Sequence, residues 1–243
     1  FLKSSKDDLD ILADNVNCLN NKYLKTEFGD LTITEFQMDC DWTPNTKDNY
    51  CYFLQKLKNI SGKQISCTLR LYPYKYREKM GFPPVDKVML MCYNLLDPLE
   101  NPDKNSVLDL SELSKYLKNV PTYPKHLDIA LPIYSWAQVY HNERFSDVLY
   151  TDIEKLKINL EQENQLWYSV IKDTVVNNTY LRIADRIKIE EIDATKIKGA
   201  ISVLKKYIDF DKNTTVALFH LDEQQIKNFT NEELSFFYTD FSK

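Results

Sequence analysis

The sequence has only four glycines among its 243 residues. Loops that cradle phosphate groups depend on closely spaced glycines, as in the G-x-G-x-x-G and Walker patterns, and neither pattern occurs. We therefore expect no nucleotide cofactor, and no other cofactor is indicated. A block of basic residues is also lacking, because the net charge of −5 is spread along the chain. Nucleic acid is not an expected partner, since binding to phosphate backbones needs such a basic surface.

Closely paired cysteines and long apolar runs are missing as well. The five cysteines stand apart from one another and are interpreted as small buried side chains. No apolar run reaches the roughly 18 residues needed to cross a bilayer, so no membrane-spanning segment is expected. Residues 1–6 do not form a signal peptide, and the residues alone leave the compartment unknown.

What the sequence does contain is an alternation of helix-like and strand-like segments. Apolar residues spaced three and four apart predict an opening helix: Leu9, Leu12, Val16, Leu19 and Tyr23. The segment 31–41 alternates apolar and polar residues, which is typical of a strand. A helix is then predicted to begin after Thr43-Pro44 and to end at Gly62. Further strands are predicted at 64–72, 85–93, 127–136 and 215–221.

Strands separated by helices favour parallel crossovers, and we predict an α/β fold of the (β/α)8 TIM-like barrel type. Five strands can be identified with assurance, and none precedes the opening helix. The chain is therefore expected to be the C-terminal two-thirds of a barrel that is incomplete at its N-terminus, with a missing segment completing it. Residues 1–243 are predicted to form one barrel domain, with an insertion at about 143–193 before the last β/α unit.

The candidate site follows from the alternation within the strands. Barrel enzymes carry their functional residues at the C-terminal strand ends. In the first strand Phe36, Met38 and Cys40 should face the helices, which turns Asp39 and Asp41 toward the barrel axis. The later strands are predicted to add these side chains to the same mouth: Arg70, Tyr72, Tyr93, Tyr134, Trp136, His220 and Asp222.

This set combines carboxylates with aromatic rings. Carboxylates serve as acid, base or charge stabiliser in glycoside hydrolysis, and aromatic faces stack on sugar rings. We therefore predict a carbohydrate ligand, with Asp39 and Asp41 as candidate catalytic residues and the others as candidate substrate-binding residues. No metal ligand is assigned in this interpretation.

Two segments resemble family-18, chitinase-like glycoside hydrolases. Met38-Asp39-Cys40-Asp41-Trp42-Thr43 resembles the fourth-strand motif Asp-x-Asp-x-Glu of that family. The run 85–94, ending in Met91-Cys92-Tyr93-Asn94, resembles its sixth strand, which ends in Met-x-Tyr-Asp. The resemblance implies a barrel fold and a glycan substrate.

The sequence departs from that family at two positions. The general-acid glutamate of the fourth-strand motif is replaced by Thr43, which cannot protonate a leaving group near neutral pH. The last position of the sixth-strand motif is Asn94 instead of aspartate. Hydrolysis would then require another carboxylate, with Asp97 and Asp222 as candidates, and whether the protein is an enzyme stays open.

The segments 131–136 and 219–222 resemble more closely a group of bacterial barrel proteins of unknown function that are often lipoproteins. That resemblance covers nearly the whole chain. It implies an extracytoplasmic protein, anchored to lipid through a segment outside this chain.

Two other classes of function remain open. The first is a non-catalytic structural or interaction module of a surface lipoprotein, in which Asp39 and Asp41 bind Arg70 in a buried ion network and the aromatic residues fill the core. The second is a metal-dependent hydrolase with oxygen and nitrogen ligands from Asp39, Asp41, His220 and Asp222.

Overall fold

The computed structural model of the chain describes residues 1–29 and 31–242. Its helices are Lys6–Phe28 (α1), Lys47–Ser61 (α2), Leu71–Lys75 (α3), Arg77–Met80 (α4), Leu110–Leu117 (α5), Ile153–Lys157 (α6), Ala194–Tyr207 (α7), Glu223–Ile226 (α8) and Asn231–Thr239 (α9), followed by a 3-10 turn at Asp240–Ser242. Its strands are Glu35–Met38 (β1), Gln64–Arg70 (β2), Lys87–Met91 (β3), His126–Pro132 (β4), Trp136–His141 (β5), Arg144–Leu149 (β6), Leu160–Gln162 (β7), Trp167–Val170 (β8), Thr174–Val176 (β9), Thr179–Leu181 (β10), Arg186–Glu190 (β11) and Val216–Phe219 (β12).

The strands form three sheets. The first has the order β1-β2-β3-β4-β12, the second has the order β6-β5-β11-β8-β7, and β9 and β10 form a separate hairpin. Strands β1 and β2 pair in parallel, as do β2 and β3. The chain therefore has the predicted α/β architecture with a parallel sheet, and β1 lies at an edge of that sheet within the described residues.

Two compact units divide the chain. The first unit comprises Phe1–Met91 and Asn119–Ile129, and the second comprises Cys92–Lys118 and Ala130–Lys243.

Local signals explain the helices of the first unit. Ser5 and Asp8 form a capping box at the start of α1, which satisfies two backbone N–H groups. Gly62 ends α2 in the left-handed conformation, with φ of 61°, as its position in the sequence predicts. The core of the first unit lies between α2 and the parallel strands and includes Leu54, Leu57, Ile65, Leu69 and Leu90.

The second unit contains the inserted sheet. Antiparallel pairing joins β5 to β6 and β11, and β8 to β11 and β7. One face of this sheet is apolar and buried, with Val139, Ile187 and Ile189 at its centre. The strands of this sheet lie between Trp136 and Glu190, after β4 and before β12 in the sequence. In the same unit a capping box formed by Thr230 and Glu233 starts α9.

All five predicted strands are shorter in the structure, and the difference moves predicted site residues out of the strands. The strand predicted at 31–41 is confined to Glu35–Met38, so Asp39 and Asp41 follow it. The strand predicted at 127–136 ends at Pro132, and Trp136 opens β5 of the inserted sheet. The chain turns between these strands because Ser135 is held from both sides: its N–H donates to Gln225 Oε1 and its hydroxyl accepts from the Ile192 N–H.

Candidate functional site

The first unit holds the two aspartates beside neighbouring side chains of β2. The Thr68 hydroxyl donates to Asp39 Oδ1 at 2.8 Å, and Arg70 Nε donates to Asp41 Oδ2 at 2.6 Å. Asp39 and Asp41 therefore share a face with Thr68 and Arg70, as the alternation predicts. The Asp41–Arg70 pair is open to water, with side chains 56% and 49% exposed, and is not a buried ion network.

Tyr72 is placed differently from its prediction. Strand β2 ends at Arg70, and Tyr72 lies in α3, so the two-residue alternation no longer fixes its direction. Its ring is 42% exposed and contacts the ring of Tyr76, with centroids 4.7 Å apart. Tyr72 is therefore an exposed aromatic residue that follows the strand, instead of an inward-facing strand residue.

Thr43 stands at the turn that leads into α2. Its N–H donates to Thr46 Oγ1 at 2.9 Å, and its carbonyl accepts from the N–H groups of Thr46 and Lys47. Next to it, Trp42 is buried and donates from Nε1 to the Met80 carbonyl. In the family-18 motif this position carries the general-acid glutamate. Here it is Thr43, whose hydroxyl contacts Thr46 at the start of α2.

The second unit contains a cluster of aromatic side chains, which we call the ring cluster. Its members are Tyr93, Tyr134, Trp136, Tyr150, Phe219 and His220. Tyr134 is central and contacts all the others, with centroid distances between 5.6 and 6.4 Å. Tyr93 and Phe219 stack in parallel at 4.8 Å. Tyr150 and Phe219 are 47% and 42% exposed, so the cluster presents ring surface to solvent.

A hydrogen bond to Asn94 orients the central ring, Tyr134. Its hydroxyl donates to Asn94 Oδ1 at 2.5 Å. Burial raises the pKa of Tyr134 well above its ordinary value, so the phenol is protonated and acts as a donor. Asn94 adopts φ of 51°, a left-handed conformation that asparagine tolerates better than most residues. The residue that departs from the resembling motif therefore orients the central ring.

Asp222 and Asp97, the candidates for replacing the missing general acid, both accept hydrogen bonds from backbone N–H groups close by in the sequence. Asp222 caps α8, where its side chain accepts from the Gln225 N–H at 2.9 Å. Asp97 accepts from the N–H groups of Leu99 and Glu100 in a turn. Asp97 is exposed, and Asp222 is half-buried.

Metal and membrane features were searched within residues 1–29 and 31–242. No group of three or more His, Cys, Asp or Glu side chains there is arranged to hold a metal ion. The metal-dependent alternative gains no support from this geometry. No helix in the same residues is long and apolar enough to cross a bilayer.

The predicted site residues fall into two groups. Asp39, Asp41, Arg70 and Tyr72 belong to the first unit, whereas the predicted residues Tyr93, Tyr134, Trp136, His220 and Asp222 belong to the second. Contacts join Asp41 to Arg70 in the first unit, and Tyr93, Tyr134, Trp136 and His220 in the second. That all of them line one mouth stays a prediction.

Sequence reasoning missed three contributors to the second group: Tyr150, Phe219 and Glu190. Alternation along the last strand places Phe219 on the opposite face from His220, and Tyr150 lies in a segment from which no site residue was predicted. Glu190 accepts from Trp136 Nε1, a contact between positions 54 residues apart that no local pattern could indicate.

Comparison with known proteins shows similarity in structure only. No protein-family model matches the sequence, and no curated protein sequence matches it. A chitinase from Chromobacterium violaceum superposes with a TM-score of 0.52 at 14% identity, covering 92% of this chain and 74% of the chitinase. A spore cortex-lytic enzyme from Bacillus cereus gives a TM-score of 0.53 at 13% identity, with 94% and 55% covered.

A Bacillus subtilis protein described as a sporulation-specific glycosylase gives a TM-score of 0.53 at 11% identity, covering 89% of this chain and 72% of that one. The chain therefore spans between about half and three quarters of the length of these three proteins. Together they define the class: a mixed α/β fold, with parallel strands, of the kind found in chitinase-like glycoside hydrolases.

Proposed function

We propose that this protein binds a glycan through the ring cluster and is a diverged relative of glycoside hydrolases that has lost the general acid. The observation that carries the proposal is the cluster itself. It lies next to the ends of β4 and β12, in a fold similar to that of chitinases, and two of its rings, Tyr150 and Phe219, are exposed to solvent. Sugar rings have apolar C–H faces that stack on aromatic side chains, and neighbouring polar groups fix their orientation.

The ligand class follows from the structural neighbours. Because one of them is a chitinase, oligosaccharides of N-acetylglucosamine are the first ligands to test. Asp39, Asp41 and Arg70 of the first unit stay candidate catalytic and substrate-binding residues, as the sequence predicts. The eight-stranded barrel predicted from the sequence is part of the same proposal, and the edge of β1 is where a further strand would pair.

Loss of the acid predicts binding without cleavage. Thr43 has no proton to give near neutral pH, and its hydroxyl is engaged with Thr46 at 3.2 Å. We therefore expect no release of the aglycone from chromogenic glycosides. Turnover at a rate comparable to that of an active glycosidase would show that another group supplies the proton.

The binding test is a calorimetric titration with chitin oligosaccharides on a matched pair of variants. Tyr150 belongs to the ring cluster and is 47% exposed, whereas Tyr238 lies on α9 and is 49% exposed. Truncation of either ring should therefore have a similar small effect on stability. Tyr150→Ala is expected to weaken binding about 3- to 10-fold, the value of one aromatic contact, and Tyr238→Ala to leave it unchanged.

A non-catalytic structural module is the second candidate. It is favoured by the local roles of Asp39 and Asp222, which bind Thr68 and cap α8. Absence of binding to chitin, cellulose and peptidoglycan fragments by the folded protein would support this candidate and contradict glycan binding.

A further inference from the structure

A buried carboxylate lies behind the ring cluster in the second unit. Glu190, the last residue of β11, is completely buried, and so is Lys188 two residues before it. Lys188 Nζ lies 2.7 Å from Glu190 Oε1 and also donates to the Asn101 carbonyl at 2.8 Å. An ion pair removed from water carries a large desolvation cost, which good geometry and additional hydrogen bonds must offset.

Glu190 accepts three further hydrogen bonds, and these join two parts of the proposed site. Its Oε2 accepts from Trp136 Nε1 at 2.5 Å and from the Ser106 hydroxyl at 2.6 Å. Its Oε1 accepts from the Ser106 N–H at 3.0 Å. The Ser106 carbonyl in turn accepts from the Leu95 N–H at 2.8 Å, next to Asn94.

We propose that Glu190 is a positioning residue of the glycan site, acting on Trp136 directly and on Asn94 through Ser106. The inference rests on the proposed function, because it assigns the orientation of the ring cluster. The Trp136 side chain has one hydrogen-bond donor, the indole N–H. The Glu190 carboxylate that accepts from it is itself held in place by Lys188 and Ser106, so the indole is held in one direction. Asn94 then holds the hydroxyl of Tyr134, so both rings take their orientation from one buried group.

The substitution Glu190→Gln tests this role because an amide cannot satisfy the same donors. Oxygen at the Oε1 position would still accept from Ser106 N–H and Lys188, but the amide NH2 would then face Trp136 Nε1–H, another donor. If the amide were turned the other way, its NH2 would occupy the Oε1 position. It would then face two donors, the Ser106 N–H and the Lys188 ammonium group. The first arrangement leaves fewer unsatisfied donors, so the indole should lose its acceptor.

Two readouts follow. The indole N–H resonance of Trp136, assigned with Trp136→Phe, should move upfield in Glu190→Gln because a bond to a carboxylate is lost. Affinity for chitin oligosaccharides should fall about 10-fold, the effect of losing one charge-assisted hydrogen bond. Glu191→Gln is the control, since the Glu191 carboxylate accepts from Lys157, whereas the Trp136 indole N–H donates to Glu190. Both readouts should stay at their wild-type values in that control.

Glu190→Gln leaves Lys188 buried without its counter-ion, and the variant could fail to fold. The double variant Lys188→Met/Glu190→Gln removes both charges together, which buried pairs tolerate better than the loss of one partner. It should show the same shift of the indole resonance and the same loss of affinity.

The outcomes separate this inference from the proposed function. An unchanged Trp136 resonance in the folded variants would overturn the positioning role, and so would a shifted resonance with wild-type affinity. If the wild-type protein binds no glycan, the proposed function fails. The shift of the resonance would then still establish that Glu190 orients the indole, without a glycan site to serve.

Discussion

Asp41 and Arg70 illustrate how residue-level geometry separates a functional role from a structural one. Both side chains are about half exposed, and exposed ion pairs contribute at most about 1 kcal/mol to stability. We expect Asp41→Asn to change the free energy of unfolding by less than about 1 kcal/mol in urea titrations. A much larger loss of stability would contradict the view that this carboxylate is available for a ligand.

Asn94 provides a second prediction at the scale of single residues. Asn94→Ala removes the acceptor of the buried Tyr134 hydroxyl and places Ala at φ of 51°, whereas Asn94→Gly removes the acceptor without backbone strain. The lost hydrogen bond should lower the free energy of unfolding of both variants by about 1–3 kcal/mol. The backbone strain should lower that of Asn94→Ala by about 1 kcal/mol more. Equal stability of the two variants in chemical denaturation would show that the backbone of Asn94 is not held in this conformation.

Asp86 connects α2 with β2, and its lowered pKa predicts that the stability of the protein depends on pH. Its carboxylate accepts from Lys58 Nζ of α2 at 2.6 Å and from the Ile65 N–H of β2 at 3.0 Å. Burial alone would raise the pKa of Asp86, but the hydrogen bonds from Lys58 and Ile65 outweigh it and lower the pKa below the ordinary value. The stabilisation is therefore complete above about pH 4 and is lost as the pH falls through the lowered pKa.

We accordingly expect Asp86→Asn to cost about 1 kcal/mol at pH 7 and progressively less below about pH 4. Urea unfolding of both proteins across this range measures the difference. A penalty that stays constant from neutral to acid pH would mean that the charge of Asp86 contributes nothing.

At the scale of elements, local patterns predicted the parallel sheet and its helices but not the inserted sheet. Strand β2 alternates apolar and polar residues, β3 lies in a nearly continuous apolar run, and the capping signals of α2 and α9 are local. The strands of the insertion are three to six residues long, and their pairing joins distant positions such as Lys188 and Trp167. Such pairing depends on tertiary contacts that a short alternation cannot indicate.

The shorter first strand has a similar origin. In the sequence, apolar and polar residues alternate as far as Asp41. In the structure, however, the Trp42 side chain is buried and donates to the Met80 carbonyl, and this contact directs the chain away from the sheet. The alternation therefore places the end of the strand incorrectly, at Asp41 instead of Met38. The aromatic residues were predicted as contributors, whereas the group that orients them, Glu190, depends on contacts across 54 and 84 residues.

At the scale of the whole molecule, the fold and the ring cluster support one central claim: the exposed rings of the second unit form a glycan-binding surface. Fold similarity at 11–14% identity does not carry activity from one protein to another. The claim therefore depends on the exposed rings of Tyr150 and Phe219 and on the half-buried ring of Trp136, which pack around the buried ring of Tyr134.

The three tryptophans supply the most direct measurement of this claim. Trp42 and Trp167 are buried and donate to the carbonyls of Met80 and Pro102, whereas Trp136 belongs to the ring cluster. In an NMR titration with a chitin oligosaccharide, we predict that the indole N–H resonance of Trp136 moves with ligand concentration while the other two stay in place. A Trp136 resonance that stays fixed across chitin, cellulose and peptidoglycan oligosaccharides would contradict the glycan-binding surface.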